Sequence, residues 1–386
     1  MTVRATARGS ARHSLEATEV DVLVCGASFA GLAVARELAR SGANVLVVDR
    51  YEIGERATSA CAAPTPWLEA MGVSRAVRAA LPAMRFATPY GGARYELPWS
   101  WSAFDYRELC TELWDQSGDA RFECAKIESR SPDGVLTDRG EIRAPLVVDA
   151  LGWRRVLADD GYQPPDAPLS RGLEVHPHAR GGDSLDVWVD RSLTRSGYAW
   201  RVPAGVEQRV GIGSYEPRDH VKEPTRDLAE RLEVDAVRWQ GNWFPHRLRE
   251  ASDASTFFVG DSAGHCLPLS GEGIRTAFYF GIACGRELSG VLAGARTREE
   301  ALRRYGDFSR GHSGTYRLLL AGQRVLPRIP PRLLTLVFRA LGHPALVKPA
   351  FTWYLEQAHP RVAARPRVRA PTRAPTPANP RSATIG

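Results

Sequence analysis

The sequence predicts an α/β architecture in three parts. The first is a domain on a parallel sheet, discontinuous in the chain; the second is a mostly antiparallel sheet; the third is a helical C-terminal region. Three observations carry this. From Val20 an apolar strand, a glycine turn, a helix and a second apolar strand follow one another without interruption. Short alternating segments fill the middle of the chain. Near residue 260 another apolar strand meets a glycine-rich turn and a long helix. A β-α-β unit implies parallel strands, because parallel neighbours need a crossover.

Val20–Cys25 is the first strand, Gly26–Gly31 the turn, 32–41 the helix, and 44–48 a second buried strand closed by Asp49. A helix is expected over Tyr106–Ser117, and buried strands over Leu146–Ala150 and Phe257–Val259. A long helix should run from Gly273 to about Leu292. Alternation over 85–100 and 170–215, as in Ser184–Val189 and Arg209–Ser214, marks strands of the second sheet. The expected division is a disordered leader over 1–19 and a nucleotide domain over 20–84, 102–165 and 250–297. A sheet domain takes 85–101 and 166–249, helices take 298–358, and a disordered basic tail takes 359–386.

The 386 residues, 44% hydrophobic and 25% charged, suit an ordinary globular protein. The net charge of +7 is concentrated at the end: Arg361 to Arg381 holds six arginines and no acid. The body is near neutral, so no nucleic-acid partner is expected. Six cysteines form no CxxC pair and show no metal spacing with histidine, which predicts no metal and a reduced, cytoplasmic setting. No apolar run is long enough to span a bilayer.

Two motifs carry chemistry. Gly26-Ala27-Ser28-Phe29-Ala30-Gly31 has the form GxSxxG between strand and helix. Gly26 permits the tight turn and Gly31 the packing of helix on strand. Ser28 faces the phosphates where glycine is usual. The helix N-terminus offers free N–H groups to the same anion. Asp49, 23 residues after Gly26, stands where an acid binds a ribose hydroxyl and repels a 2′-phosphate. The second motif runs Phe257-Phe258-Val259-Gly260-Asp261, then Pro268 and Gly271-Glu272-Gly273-Ile274. A long cofactor must be held far from its adenine, and the two motifs in this order predict FAD in a Rossmann-like domain. Asp261 would accept from a ribityl hydroxyl. Gly271 and Gly273 would admit the backbone to the isoalloxazine ring, and the helix from Gly273 would aim its positive end at the flavin.

At these residues the chain resembles the geranylgeranyl reductase family, within the flavoproteins that include para-hydroxybenzoate hydroxylase-like monooxygenases. The resemblance covers roughly residues 20–300. Glu52-Ile53-Gly54 and Ser59-Ala60-Cys61-Ala62 are similar to the family segment that sets a cysteine beside the flavin. Tyr198-Ala199-Trp200-Arg201-Val202-Pro203 is similar to its YxWxFP signature. Arg107 matches a family arginine that contacts FAD. Departures are Ala62-Ala63-Pro64 after the cysteine, and Asp149 separated from Gly152 in the group's Asp-Gly motif. The resemblance implies a cofactor set of Gly26, Ser28, Ala30, Gly31, Asp49, Arg50, Ala62, Arg107, Gly260, Asp261, Gly271, Gly273 and Ile274. It places Cys61, Tyr198 and Trp200 in the substrate cavity. Cys61 is read as touching flavin or donating a proton, and His265 as a donor or a cap.

The implied function is reduction of a carbon–carbon double bond in a small apolar, isoprenoid-like substrate. The alternatives are an FAD monooxygenase of an aromatic or polyketide-like molecule, and a non-catalytic flavin-binding protein. Tyr198–Pro203 is also similar to a halogenase signature, but no lysine precedes Lys126. No second nucleotide fingerprint exists, so electrons come from NAD(P)H or from a redox partner protein. The arginine- and leucine-rich stretch Leu326–Leu355 suggests peripheral membrane contact.

Overall fold

The computed structural model describes residues 12–57, 60–158 and 168–363. Five strands form the parallel sheet, in spatial order Thr256–Phe258, Leu146–Asp149, Val22–Cys25, Val45–Asp49 and Arg121–Cys124. Val22–Cys25 and Leu146–Asp149 are buried throughout, which explains their unbroken apolar runs. The domain is discontinuous, as expected. The Phe29–Leu38 helix starts three residues earlier than expected, making Ser28 its N-cap.

Eight strands form the second sheet, ordered Gln240–Pro245, Leu169–Val175, Glu207–Ser214, Gly197–Ala204, Ser184–Trp188, Val77–Thr88, Gly91–Phe104 and Ala62–Pro64. One neighbouring pair, Ser184–Trp188 with Val77–Thr88, is parallel; the others are antiparallel. The expected boundaries at 84/85 and 101/102 fall inside continuous strands, so this sheet takes more of the chain than alternation indicated. Pro82 masked the start of the long strand. It sits at a register shift between Leu81 and Ala83, where a missing N–H is tolerated.

The leader boundary also moves. Thr18–Glu19 pairs with Ile142–Arg143 in a small four-stranded sheet, and Leu15 is buried. Residues 12–19 therefore belong to the fold, while 1–11 lie outside the described residues. Of the tail expected from 359, residues 359–363 pack against the body: Pro360 is buried and the Val362 carbonyl accepts from Arg286. Residues 364–386 lie outside the described residues.

The helix after the second motif, Ile274–Leu292, lies against Phe29–Leu38 across small residues. A Cβ on Gly281 would stand 2.8 Å from the Ala33 Cβ and 2.9 Å from the Ala30 carbonyl oxygen. Gly281→Val should therefore push the two helices apart and cost about 1–3 kcal/mol, as overpacking does. Urea unfolding should show the loss; a midpoint equal to wild type would contradict this packing.

Candidate active site

Both ends of the first motif are sterically obligatory. Gly26 has φ +112°, and a Cβ there would meet the Ala150 carbonyl oxygen at 2.3 Å. A Cβ on Gly31 would stand 1.9 Å from the Gly26 oxygen. Ser28 makes no side-chain cap; its hydroxyl accepts from Tyr106 Oη at 3.0 Å. The first helical N–H groups are thus left without a side-chain acceptor. Asp49 is the brace of this turn. Its carboxylate accepts from the Ala27 N–H at 2.8 Å and the Tyr51 N–H at 3.0 Å, while burial pushes its pKa up. Arg50 lies over the Tyr51 ring at 5.6 Å. The Arg107 backbone packs against Gly54, whose φ is +71°, and the Arg107 side chain is exposed.

The two motifs meet. Gly260 has φ +65°, and a Cβ there would come within 2.9 Å of the Ala30 Cβ. Next to it, the Asp261 carboxylate accepts no hydrogen bond among the described residues, while its backbone carbonyl accepts from the Gly264 N–H at 3.0 Å. Burial raises its pKa to about 6, with Arg249 opposing. Gly271 also has positive φ, +67°, and Gly273 caps the Ile274–Leu292 helix with no side-chain cap bond. Leu269 adopts φ +71°, a strained conformation for a branched side chain. Ile274 is buried at the helix start.

His265 is a structural cap. Its ring stacks on Phe280 at 3.7 Å, and Nδ1 accepts from the Gly260 N–H at 3.2 Å. Nε2 then carries the proton toward Ser309 Oγ at 3.0 Å. Burial pushes its pKa well down, so it stays neutral. The proton-donor reading of His265 is corrected by these contacts.

Cys61 holds φ +50° and is buried, with its pKa pushed up to about 12 by burial. A thiol so far above neutrality is poorly matched to general acid work. What keeps the bend is Arg209. Its Nη1 donates to the Ala60 and Cys61 carbonyls at 2.7 and 2.9 Å, and its Nη2 to the Phe104 carbonyl at 2.8 Å. Ala62 then starts the strand paired with Ala103. Near Arg209 is the buried Glu174, which accepts from Trp200 Nε1 at 2.9 Å and Gln240 Nε2 at 2.6 Å, with His176 Nε2 at 2.8 Å. Burial alone would raise the Glu174 carboxyl; His176, Arg209 and Gln240 hold it below the usual range.

Tyr198 and Trp200 share a face, with ring centroids 5.9 Å apart. Trp200 lies across glycines: Cβ atoms on Gly211 and Gly213 would approach its ring to 2.4 and 3.2 Å. Tyr198 Oη donates to the Ser270 carbonyl, and Tyr215 Oη to the Leu269 carbonyl at 2.7 Å. A Cβ on Gly271 would meet Tyr198 Oη at 2.9 Å and Phe244 at 3.2 Å. Tyr198, Tyr215 and Phe244 thus crowd the Gly271 turn. Cys61 reaches this group only indirectly, through Arg209 and Glu174.

Sequence reasoning missed Arg209, Glu174, Tyr215 and Phe244, which read as ordinary strand residues. It also missed the role of Asp149. Fully buried, Asp149 accepts from the Leu151 and Leu157 N–H groups and from Ser262 Oγ, tying the loop after its own strand to the second motif. A broken Asp-Gly motif therefore still organises the site. The surface cleft lined by Glu19, Asn44, Arg143 and Arg298 adjoins the amino ends of the parallel strands. Nucleotide ligands bind at the carboxyl ends of such strands, so this cleft lies on the wrong edge of the sheet for one.

These features fit FAD. Two helix N-termini lack side-chain caps, glycine φ values clear the backbone, and the Asp261 carboxylate has no hydrogen-bond donor among the described residues. Comparisons agree. Residues 21–118 match the FAD dependent oxidoreductase family. Digeranylgeranylglycerophospholipid reductase 3 of Methanosphaera stadtmanae is 28% identical over 342 residues, 77% of this chain and 84% of that protein. A geranylgeranyl bacteriochlorophyll reductase-like protein from Thermoplasma acidophilum shares the fold with TM-score 0.77 at 15% identity, covering 90% and 98% of the two chains. A flavin-dependent brominase does so with TM-score 0.68 at 13% identity, covering 90% and 98%. The chain carries an FAD-dependent oxidoreductase domain and is an FAD-dependent enzyme similar to the geranylgeranyl-type reductases.

Proposed function

We propose that this enzyme reduces a carbon–carbon double bond of an apolar, isoprenoid-like substrate. The carrying observation is the aromatic wall at the Gly271 turn. The hydroxyls of Tyr198 and Tyr215 are tied to loop carbonyls, so Tyr198 offers ring surface rather than a polar end to a ligand there, and Tyr215, buried behind it, backs the same loop. Kinship with reductases named for geranylgeranyl substrates supports the same substrate class. Bound FAD, once reduced, supplies the hydride; the chain binds, orients and excludes water. In this reading Gly26, Ala30, Gly31 and Ser28 shape the phosphate turn, and Asp49, Arg50 and Arg107 flank the adenosine half. Asp261 accepts from the ribityl chain, and Gly260, Gly271, Gly273 and Ile274 admit the flavin. Cys61 and Ala62 edge the cavity as positioning residues.

The reductant is NAD(P)H or a redox partner protein. Anaerobic reduction with NADH, NADPH and dithionite identifies it. Adding a geranylgeranyl lipid to the reduced enzyme should reoxidise the flavin and add two hydrogens per bond. Cys61→Ser should lower that turnover while FAD stays bound. A hydroxylated aromatic product formed with oxygen, and no lipid reduction, would establish the monooxygenase reading instead.

A further inference from the structure

We infer that the C-terminal helices form a docking surface for anionic lipid bilayers. Three successive helices, Ser313–Val325, Pro331–Leu341 and Pro344–Glu356, each leave apolar side chains uncovered at helical spacing. Leu318 and Val325 lie seven residues apart, Leu333 and Leu336 three, and Leu346 and Trp353 seven. All six expose between 43% and 60% of their surface. Residues at these spacings share one helix face, so each helix presents an apolar stripe rather than scattered side chains. Such stripes mark interaction sites on folded proteins.

Charge selects the occupant. From Gly311 to Leu355 the chain holds six cations and no Asp or Glu, and the sequence beyond Arg361 adds arginines without an acid. Cations beside exposed leucine and tryptophan suit a surface that is negative outside and apolar just beneath. A second copy of this chain fits poorly, because a two-fold interface would bring the same positive patch against itself.

The inner faces of these helices touch the flavin loop. Gln323 Oε1 accepts from the Leu269 N–H at 2.8 Å, and Tyr354 Oη donates to Glu272 Oε2 at 2.5 Å. The docking surface therefore backs directly onto the turn proposed to hold the flavin, a short path for a lipid-borne substrate. The surface itself stands on exposure and charge, independent of the reductase reading.

The test is co-sedimentation of the FAD-loaded enzyme with vesicles of phosphatidylcholine, with and without phosphatidylglycerol. Binding should require phosphatidylglycerol and weaken as salt rises. Leu333→Glu with Leu336→Glu should abolish it with FAD content unchanged. Arg317→Gln with Arg324→Gln should lower partitioning roughly twenty-five-fold, about fivefold for each charge. Absence of binding to anionic vesicles, or binding indifferent to the leucine changes, would overturn the inference. So would a dimer, seen by ultracentrifugation, that the same leucine changes break. Turnover of a geranylgeranyl lipid dispersed in detergent keeps the two proposals apart: intact turnover without vesicle binding defeats only this one.

Discussion

Asp261→Asn is expected to weaken FAD binding about tenfold while leaving the FAD-free protein as stable as wild type, or more stable. The affinity loss follows from exchanging a charge-assisted hydrogen bond for a neutral one. The stability gain follows from the site's geometry: the carboxylate has no hydrogen-bond partner among the described residues and ionises at a cost, its pKa lying at about 6. The folded value stands above the unfolded one of about 3.9. Ionisation therefore opposes folding above pH 6, by roughly 2 kcal/mol after allowing for partial exposure. The FAD-free wild type should gain on the asparagine variant as pH falls from 7 through 6 toward 4. Asp49→Ala makes the contrast. It strips the acceptor from the Ala27 and Tyr51 N–H groups and should cost roughly 2–4 kcal/mol even without cofactor. Equal destabilisation by both changes, or wild-type FAD affinity in Asp261→Asn, would show that Asp261 is another brace and not a ligand.

That contrast shows what the sequence can and cannot reveal. Both aspartates stand out in sequence, because each follows an apolar strand at a set place relative to a glycine motif. Their different tasks depend on which N–H groups fold back onto them, and that is decided by turns rather than by spacing. Four of the five parallel strands were legible because burial on both faces forces uninterrupted apolar runs; Arg121–Cys124, a half-exposed edge strand, was not. Thr18–Glu19 was not, since two polar residues become a strand only through partners at Ile142 and Arg143. Tyr198 lies at the Gly271 turn, a neighbourhood that its strand position alone does not reveal. Trp200 turned out to lie flat on Gly211 and Gly213, a packing role beside any substrate contact. Arg209 and Glu174 sit on strands that also bury Ser170, Gln208 and Ser214, and only the fold shows that these two converge behind Trp200 and Cys61. Cys61 was noticed as a thiol; its left-handed backbone, pinned by Arg209, is the feature that sequence could not display.

Arg275→Met should be the most damaging single change in the second motif, costing about 3–5 kcal/mol. The guanidinium is fully buried at the first turn of the Ile274–Leu292 helix. Its Nε donates to Glu272 Oε1 at 2.5 Å, Nη1 to the Leu355 carbonyl at 3.0 Å, and Nη2 to the Tyr354 carbonyl at 3.0 Å. One side chain thus joins the Gly271–Gly273 loop to the end of the Pro344–Glu356 helix. Methionine fills similar volume but leaves Glu272 buried with only Tyr354 Oη as a side-chain donor, and it frees the Tyr354, Leu355 and Ala358 carbonyls from their charged partner. Trp67 Nε1, which donates to the Ala358 carbonyl at 2.8 Å, then holds that segment with less help. Urea unfolding should show the stability loss, and limited proteolysis should cut the chain after Pro344 faster than in wild type. Adding Glu272→Gln should recover part of the loss, because it removes the uncompensated charge. Recovery is the informative outcome: an Arg275 that mattered only for volume would give a double variant no better than Arg275→Met alone.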